Sequence, residues 1–561
     1  MATVGILDRL LLLDLRFLLV IVCACAVYYR PALRSVPGSA AADGAFRQPS
    51  FTFSIRRGKR IGVCRLAAAV IGLLVWLAAG LVPLALASVR WPLVHDAPLM
   101  HYIAWRIGSG AVPYRDIFDM NLPGVYLLHA AVLRVFGSTD GGWRLFDFLW
   151  LVLTGWLLWR LCVPRARGWA LAAPLFYAAF HVSSGPPAMG QRDYLEFGFL
   201  AVAMLLACAG LEPQSLPGSS ARCLLLSGLA LGYAASIKPL ALLMLAAVAV
   251  MAFLRSPGQG STRWRSAALV ACGGLTAPTL FGAWLWAIGG LQPFLHTFFS
   301  VMPLYAKMHD RPFADYAREF WPIWLPCLLS VPAAFAGGKP DTRRVLLILG
   351  VAYGALHYLL QGKGWLYQLY PLLGFGSALI AGVLGDLPKL RREAGAAVCG
   401  LAAAFTIALG AWDGRLRPAL ALTADRMATV SALEADLAQR LRPGVRVQTF
   451  DTTGGCVHAL FRVHASLPTR FLCDYLFYSY TDRPYVREIH SDLIARMAER
   501  PPELLVVYRW GWPAGQYERI GKFQALKSVI DAEYQVDVTR PQYVIYSRRA
   551  RYAQVAPESG R

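Results

Sequence analysis

Apolar positions run almost unbroken through blocks of the chain from residue 61 to residue 411, separated by short polar stretches. A bilayer core takes about 20 apolar residues per helix. On that ruler the sequence predicts spans at 61–90, 143–162, 168–184, 194–211, 222–237, 239–254, 266–288, 321–336, 343–360, 367–386 and 394–411. A further apolar run at 10–29 is interrupted by Asp14 and Arg16. It reads equally as a twelfth span, an interfacial helix, a signal-like segment or sequence upstream of the true start. Residues 30–60 are rich in Pro, Gly, Ala and Ser with scattered Arg, the composition of a linker.

Past residue 412 no run is long enough to span, and the pattern becomes one of short alternating elements. Residues 424–441 carry apolar positions at helical spacing, as do 486–500. VRVQTFD (445–451), TRFLCDY (469–475) and ELLVVYR (503–509) read as strands, and YQVDV and YVIYS as a closing hairpin. The expected fold is therefore an all-α polytopic membrane bundle with a small C-terminal α/β soluble domain. The bundle has eleven spans, or twelve if 10–29 crosses as well. The predicted divisions are 1–60, 61–411 and 412–561. The tail has no Gly-rich phosphate loop, so no nucleotide site is expected there.

Composition supports the membrane reading. Of 561 residues 57% are hydrophobic and 16% charged, and the mean hydropathy is +0.46. These values exclude a disordered chain, a coiled coil and an ordinary soluble enzyme. The 55 Lys and Arg against 33 Asp and Glu leave a net charge of +22. In so apolar a chain that excess marks cytoplasmic loops rather than a nucleic-acid partner. With the N-terminus of span 61–90 inside, the inner loops hold 13 Lys and Arg in 47 residues and the outer loops 9 in 105. Basic density is then about three times higher inside, as the positive-inside rule requires. Eleven spans place the tail outside, in the periplasm if the membrane is a bacterial inner membrane. Nine of the eleven cysteines sit in or beside apolar runs as small core residues. Cys456 and Cys473 lie in the tail, where an outer location permits a disulfide.

The first outer loop concentrates the candidate chemistry. His95-Asp96 follows the first span. An amphipathic helix with Tyr102, Trp105 and Ile107 comes next, then Pro113-Tyr114-Arg115-Asp116, Asp119, and a second apolar helix at 125–136 too short to cross. Both helices are expected to lie in the membrane interface. A carboxylate at the outer end of a span, roofed by such helices, suits a base acting on a lipid-borne substrate. Next to low-dielectric surroundings, the Asp96 pKa is expected to rise toward the useful range. The bland alternative makes Asp96 a helix cap. Asp116 and Asp119 are open between the two roles, and Asp140 reads as a solvated loop residue.

These residues resemble the first periplasmic loop of the GT-C superfamily of membrane glycosyltransferases. The match is to the bacterial group related to protein O-mannosyltransferases, aminoarabinose transferase and Rgt-like lipopolysaccharide glycosyltransferases. Asp96, then the G-x-x-P-Y-x-D segment Gly110–Asp116, then Pro123 carry the likeness. GQRDYLEF (190–197) is similar to a Q-R-E-x-L segment, with Asp193 in place of Glu. QGKGWLYQLYP (361–371) is similar to a Q-x-K-x-W-x-Y-H-x-x-P segment, with Gln368 in place of His. The resemblance covers about residues 61–411. It implies transfer of a sugar from a polyprenyl-phosphate donor to a lipid-linked glycan, lipopolysaccharide, another envelope polymer or a protein.

On the derived topology Arg192, Lys238 and Lys363 all fall at outer ends of spans. Cations there are costly without an anionic partner. Three together predict a site for the donor phosphate, although for any single one snorkelling to headgroups is the simpler account. Lys307, His309 and Arg311, in an aromatic outer loop at 289–320, are a weaker cluster. Asp96 would deprotonate the acceptor, or hold a divalent metal such as Mg or Mn that does so, with His95, Asp116, Asp119 and Asp193 as further candidates. Single displacement with inversion is expected, since no second carboxylate is placed as a nucleophile. The rival classes are a transporter or flippase for a lipid-linked glycan and a non-catalytic scaffold. The absence of a visible internal repeat disfavours the first.

Overall fold

The computed structural model describes residue 82 and residues 84–166, 170–212, 217–256, 259–308, 311–335, 339–386, 416–512 and 515–549. The run at 10–29, the linker at 30–60, most of the span at 61–90 and the span at 394–411 lie outside the described residues.

In chain order the membrane part comprises α1 (Asp96–Gly108), α2 (Pro123–Phe136), α3 (Asp140–Ala166), α4 (Ala172–Ser183), α5 (Arg192–Leu211), α6 (Pro217–Ala235), α7 (Ala241–Arg255), α8 (Gly260–Ala287), α9 (Leu291–Lys307), α10 (Phe313–Ala333), α11 (Thr342–Gln361) and α12 (Tyr370–Asp386). The nine predicted spans from 143–162 to 367–386 each fall on one of these helices. Five stretches among the described residues are long and apolar enough to cross a membrane: Asp140–Cys162, Arg192–Leu211, Gly260–Ala287, Thr342–Gln361 and Leu366–Gly385. The chain is thus a multi-pass membrane protein. Helices α4 and α7, at 12 and 15 residues, are shorter than a full crossing. The segment 289–320, expected as a loop, is helical instead. Its apolar residues Phe294, Phe298, Val301 and Tyr305 recur at helical spacing along α9.

Helix α5 is the axis of the bundle, with every residue from Asp193 to Leu211 buried. Helices α6 and α8 pack backbone to backbone across small residues. A Cβ at Gly228 would stand 2.1 Å from the Val270 carbonyl oxygen, and one at Gly232 would stand 2.2 Å from that of Gly274. Helix α11 starts where the Asp341 carboxylate accepts a hydrogen bond from the Arg344 N–H at 2.9 Å. It ends at Gly362, which takes the left-handed conformation that stops a helix.

The C-terminal part comprises α13 (Leu416–Ala438), β1 (Val447–Phe450), α14 (Cys456–Arg462), α15 (Pro484–Glu499), β2 (Leu504–Tyr508), α16 (Gln524–Glu533), β3 (Tyr534–Thr539) and β4 (Tyr543–Arg548). Its mixed sheet has the order β1-β2-β4-β3. Strand β1 runs parallel to β2 with Val447 opposite Leu504, and β3 and β4 form the antiparallel hairpin. The small α/β domain is present, but TRFLCDY is not a strand. Its polar groups are engaged elsewhere: the Arg470 carbonyl accepts from Phe118 N–H at 2.7 Å, and the Phe471 carbonyl accepts from Gln448 Nε2 at 3.0 Å. Asp474 pairs with the fully buried Arg519 at 3.0 Å. Cys456 and Cys473 are both free thiols, so no disulfide joins them.

The two parts are docked through the first loop. The Tyr102 hydroxyl donates to the Ala465 carbonyl at 3.2 Å and accepts from the Leu467 N–H at 3.0 Å. Asp140 pairs with Arg462 at 3.0 Å, so it is a docking residue and not a solvated one. Helices α1 and α2, expected in the interface, are buried along most of their length, α1 beneath α14 of the C-terminal domain and α2 between α1 and α3.

Candidate functional site

A cavity of about 770 Å³ opens where the first loop, the start of α5, the end of α9 and the C-terminal domain meet. His95, Asp96, Asp119 and Arg192 line it from the membrane part, with Tyr305, Trp365 and Tyr367. Asp425, Arg426, Thr453, Tyr475, Trp510 and Trp512 line it from the C-terminal domain.

Asp96 is the first residue of α1, where the exposed N–H groups favour negative charge. His95 precedes it with φ of 66°, a left-handed conformation uncommon for a residue bearing a side chain. That turn brings His95 Nδ1 within 2.9 Å of Asp96 Oδ1. Gln191 Nε2 lies 3.3 Å from the same ring nitrogen. Burial pushes the Asp96 carboxyl up, but His95, Arg192 and Arg426 together reverse this and hold it well below the usual carboxylate range. The expected upward shift at Asp96 is thereby corrected: cations from both halves of the molecule surround it.

Asp119 is 6% exposed. Its Oδ2 accepts from Asn121 Nδ2 and from the Tyr126 hydroxyl, each at 2.7 Å. Burial nevertheless dominates and raises its pKa. The surroundings of the two cavity carboxylates thus drive them in opposite directions. Asp116 is a loop-builder and does not line the cavity. It bonds Arg115 twice at 2.9 Å and accepts from Val112 N–H at 2.9 Å. Tyr114, at φ of 68°, donates to the Asn121 carbonyl at 2.6 Å. The G-x-x-P-Y-x-D segment therefore shapes the turn that carries Asp119.

The three cations do not form one open cluster. Arg192 lines the cavity, and among the described residues its Nε is buried without a hydrogen-bond partner. Lys238 sits behind it, 3.1 Å from Asp193 Oδ2 and 2.7 Å from Gln361 Oε1. Lys363 donates to the Ala306 carbonyl at 2.8 Å and to the Met308 carbonyl. It thereby closes the negative end of α9 and holds Tyr305 at the cavity wall, its ammonium 5.4 Å from that ring. Lys307 is exposed, Arg311 pairs with Glu319 at 3.0 Å, and His309 lies outside the described residues.

Asp193 is wholly buried and does not reach the cavity. His357 Nε2 stands 2.7 Å from its Oδ1, and the Tyr353 hydroxyl donates to Glu196 Oε1 at 2.5 Å. Asp193, Glu196 and His357 offer ligand atoms within 4.8 Å of one another. The set fits a divalent cation poorly, because the Lys238 ammonium already neutralises Asp193. In the cavity, Asp96 and Asp119 are oxygen donors of the kind Mg or Mn takes. Arg192 and Arg426 beside them supply positive charge in the same place.

Sequence reasoning missed Arg426, whose Nη1 is buried without a hydrogen-bond partner among the described residues. It missed Glu196 and His357 as well. A histidine and a glutamate inside apolar spans were the available signal for the latter pair. Nothing local marks Arg426, one basic residue on an amphipathic helix.

No family model matches the sequence, and no curated protein does. The fold is similar to that of ArnT, a protein of known structure. ArnT from Cupriavidus metallidurans bound to undecaprenyl phosphate is similar at a TM-score of 0.53 and 15% identity, over 86% of this chain and 98% of that one. Its apo form is similar at 0.53 and 14%, over 86% and 99%. The archaeal oligosaccharyltransferase AglB from Archaeoglobus fulgidus, in complex with an inhibitory peptide and a dolichol-phosphate, is similar at 0.46 and 12%, over 80% and 70%.

Proposed function

We propose that this protein transfers a sugar from a polyprenyl-phosphate donor to a hydroxyl on an envelope glycan, lipid or protein, at the periplasmic face of a bacterial inner membrane. One observation carries the reading. An arginine with an unpartnered buried nitrogen faces a cavity that also holds two carboxylates of opposed acidity. The likeness in fold to ArnT, a protein seen with undecaprenyl phosphate, supports it.

Arg192 offers its guanidinium fork to the donor phosphate. Asp96, ionised throughout, orients the acceptor hydroxyl, and Asp119 takes its proton. The acceptor oxygen bonds to the anomeric carbon as the bond from that carbon to the phosphate oxygen breaks. The leaving oxygen keeps the electron pair, and Arg192 balances its charge. One displacement inverts the sugar carbon. A divalent cation, if bound by Asp96 and Asp119, would supply Lewis acidity at the acceptor oxygen. Residues of the C-terminal domain line the cavity, and the water they displace from it favours transfer over hydrolysis.

The test is binding of undecaprenyl phosphate to the full-length protein in detergent. Wild type should bind saturably. Arg192→Gln should weaken binding by roughly ten- to a hundredfold, as expected for a lost charge-assisted hydrogen bond. Equal binding by the variant, or none by wild type, would remove the reading.

A further inference from the structure

The cavity has two poles. The first, around Asp96, Asp119 and Arg192, is charged. The second is built from rings that come from four separate parts of the chain. Trp512 is its centre, with ring centroids 6.2 Å from Tyr305, 6.3 Å from Trp365 and 6.4 Å from Tyr475. Trp510 extends this wall and is 51% exposed. Its ring carries the Arg509 guanidinium at 5.3 Å. An indole left half-open at the wall of a cavity contributes little to the core, so its packing does not explain it.

Polar groups interrupt the rings. The Tyr475 hydroxyl is buried and has no hydrogen-bond partner among the described residues. Thr453 and Asp425 line the same cavity. A buried hydroxyl without a partner costs free energy that a ligand can recover. Aromatic faces interleaved with single hydroxyl and carboxylate groups suit a ligand that is itself alternately apolar and hydroxylated. The C–H faces of a pyranose or furanose lie on the rings, and its hydroxyls reach the polar groups. A polyprenyl chain would find the polar groups unpaired. The rings of Tyr475, Trp510 and Trp512 also belong to the soluble domain and not to the lipid-facing bundle.

We propose that Trp510, Trp512 and Tyr475 form an acceptor subsite for a neutral carbohydrate, so that the acceptor is a glycan rather than a protein or a phosphorylated lipid. This rests on the glycosyl-transfer reading above and specifies its acceptor.

The experiment is a binding titration of full-length protein in detergent against a panel of neutral methyl glycosides and disaccharides, followed by saturation-transfer NMR. Undecaprenyl-phosphate binding is measured on the same samples. At least one neutral saccharide should bind to wild type. Trp510→Ala should weaken that binding roughly tenfold, the loss of one ring contact. Trp510→Phe should recover most of it, and Tyr475→Phe should weaken it while leaving thermal unfolding no lower than in wild type, since the lost hydroxyl has no partner among the described residues. No binding across the panel would overturn the proposal, as would equal binding by Trp510→Ala or binding confined to phosphorylated saccharides added as controls. If undecaprenyl phosphate binds and the saccharides do not, only the subsite is lost. If undecaprenyl phosphate itself fails to bind, the transfer reading falls first.

Discussion

Asp96 and Asp119 show how little a carboxylate's position in the chain says about its acidity. Both follow the first span closely, and both line one cavity. Asp96 has His95, Arg192 and Arg426 beside it and is held low, while Asp119 is shielded from water and is raised. The sign of each shift sets a pH dependence. Ionised Asp119, the form that accepts a proton, is lost as pH falls through a value above the ordinary carboxylate range of about 3.9. Transfer should therefore fade on the acid side at a pH where a normal aspartate would still be ionised. Asp96 stays ionised there and adds no limb of its own. Asp119→Asn should lower transfer by about 10²–10⁴-fold and abolish the acid limb, whereas Asp96→Asn should lower the rate and leave the limb in place. The pH–rate profiles of the two variants, taken with labelled donor in membranes, decide this. A limb that vanishes in Asp96→Asn and persists in Asp119→Asn would reverse the assignment.

Between elements, buried charge couples the helices that hold the site. Asp193 on α5 meets Lys238 from the α6–α7 turn and His357 on α11, all buried within the bundle. Lys238 was read as a donor-phosphate ligand because its position at a helix end was visible and its partner was not. Removing one member of such a pair leaves the other uncompensated, at a cost of about 3–5 kcal/mol. Lys238→Met should therefore lower thermal stability and folded yield strongly. Lys238→Met combined with Asp193→Asn should restore most of both, since no unpaired charge remains. Thermal unfolding of the purified variants tests this. A Lys238→Met protein of normal stability that has lost undecaprenyl-phosphate binding would return Lys238 to the donor site. The α6–α8 contact, in contrast, rests on close backbone approach at small residues. Gly228 and Gly232 stand four apart on one face, and only glycine allows that approach.

At the scale of the molecule, the cavity exists because a soluble domain is folded back onto the first loop. Arg426, Tyr475, Trp510 and Trp512 reach Asp96 and Arg192 across more than 200 residues of chain. The domain can do this only on the side of the membrane where the first loop lies. The loop charges predict that side to be the periplasm. A topology reporter fused after residue 420 should be active only in its periplasm-sensitive form, and so should one placed in the loop at 109–112. Opposite signals from the two fusions would contradict the docking of Tyr102 against Ala465 and Leu467. Cytoplasmic signals from both would move the reaction to the other face.

What the chain determined by itself was whatever rests on local or periodic order. Runs of apolar residues set the helices, because a helix in lipid must satisfy its own backbone and be long enough to cross. Alternation and turn residues marked β1, β2 and the β3–β4 hairpin, since a strand's pattern repeats every two residues. Charge asymmetry between loops set the expected orientation. The acidic residues of the first outer loop drew attention to Asp96 and Asp119, whereas the motif's own second carboxylate, Asp116, stays out of the cavity. Tertiary structure decided everything that depends on distance between remote residues. It separated Lys238 and Lys363 from Arg192, turned TRFLCDY from a strand into a docking segment, and buried α1 and α2. It brought Arg426 and the ring wall to the site and drove the two carboxylates apart. The physical reason is common to all of these: hydrogen-bond partners, burial and Coulomb interactions act over a few ångströms in space, and the chain order of residues does not encode that separation.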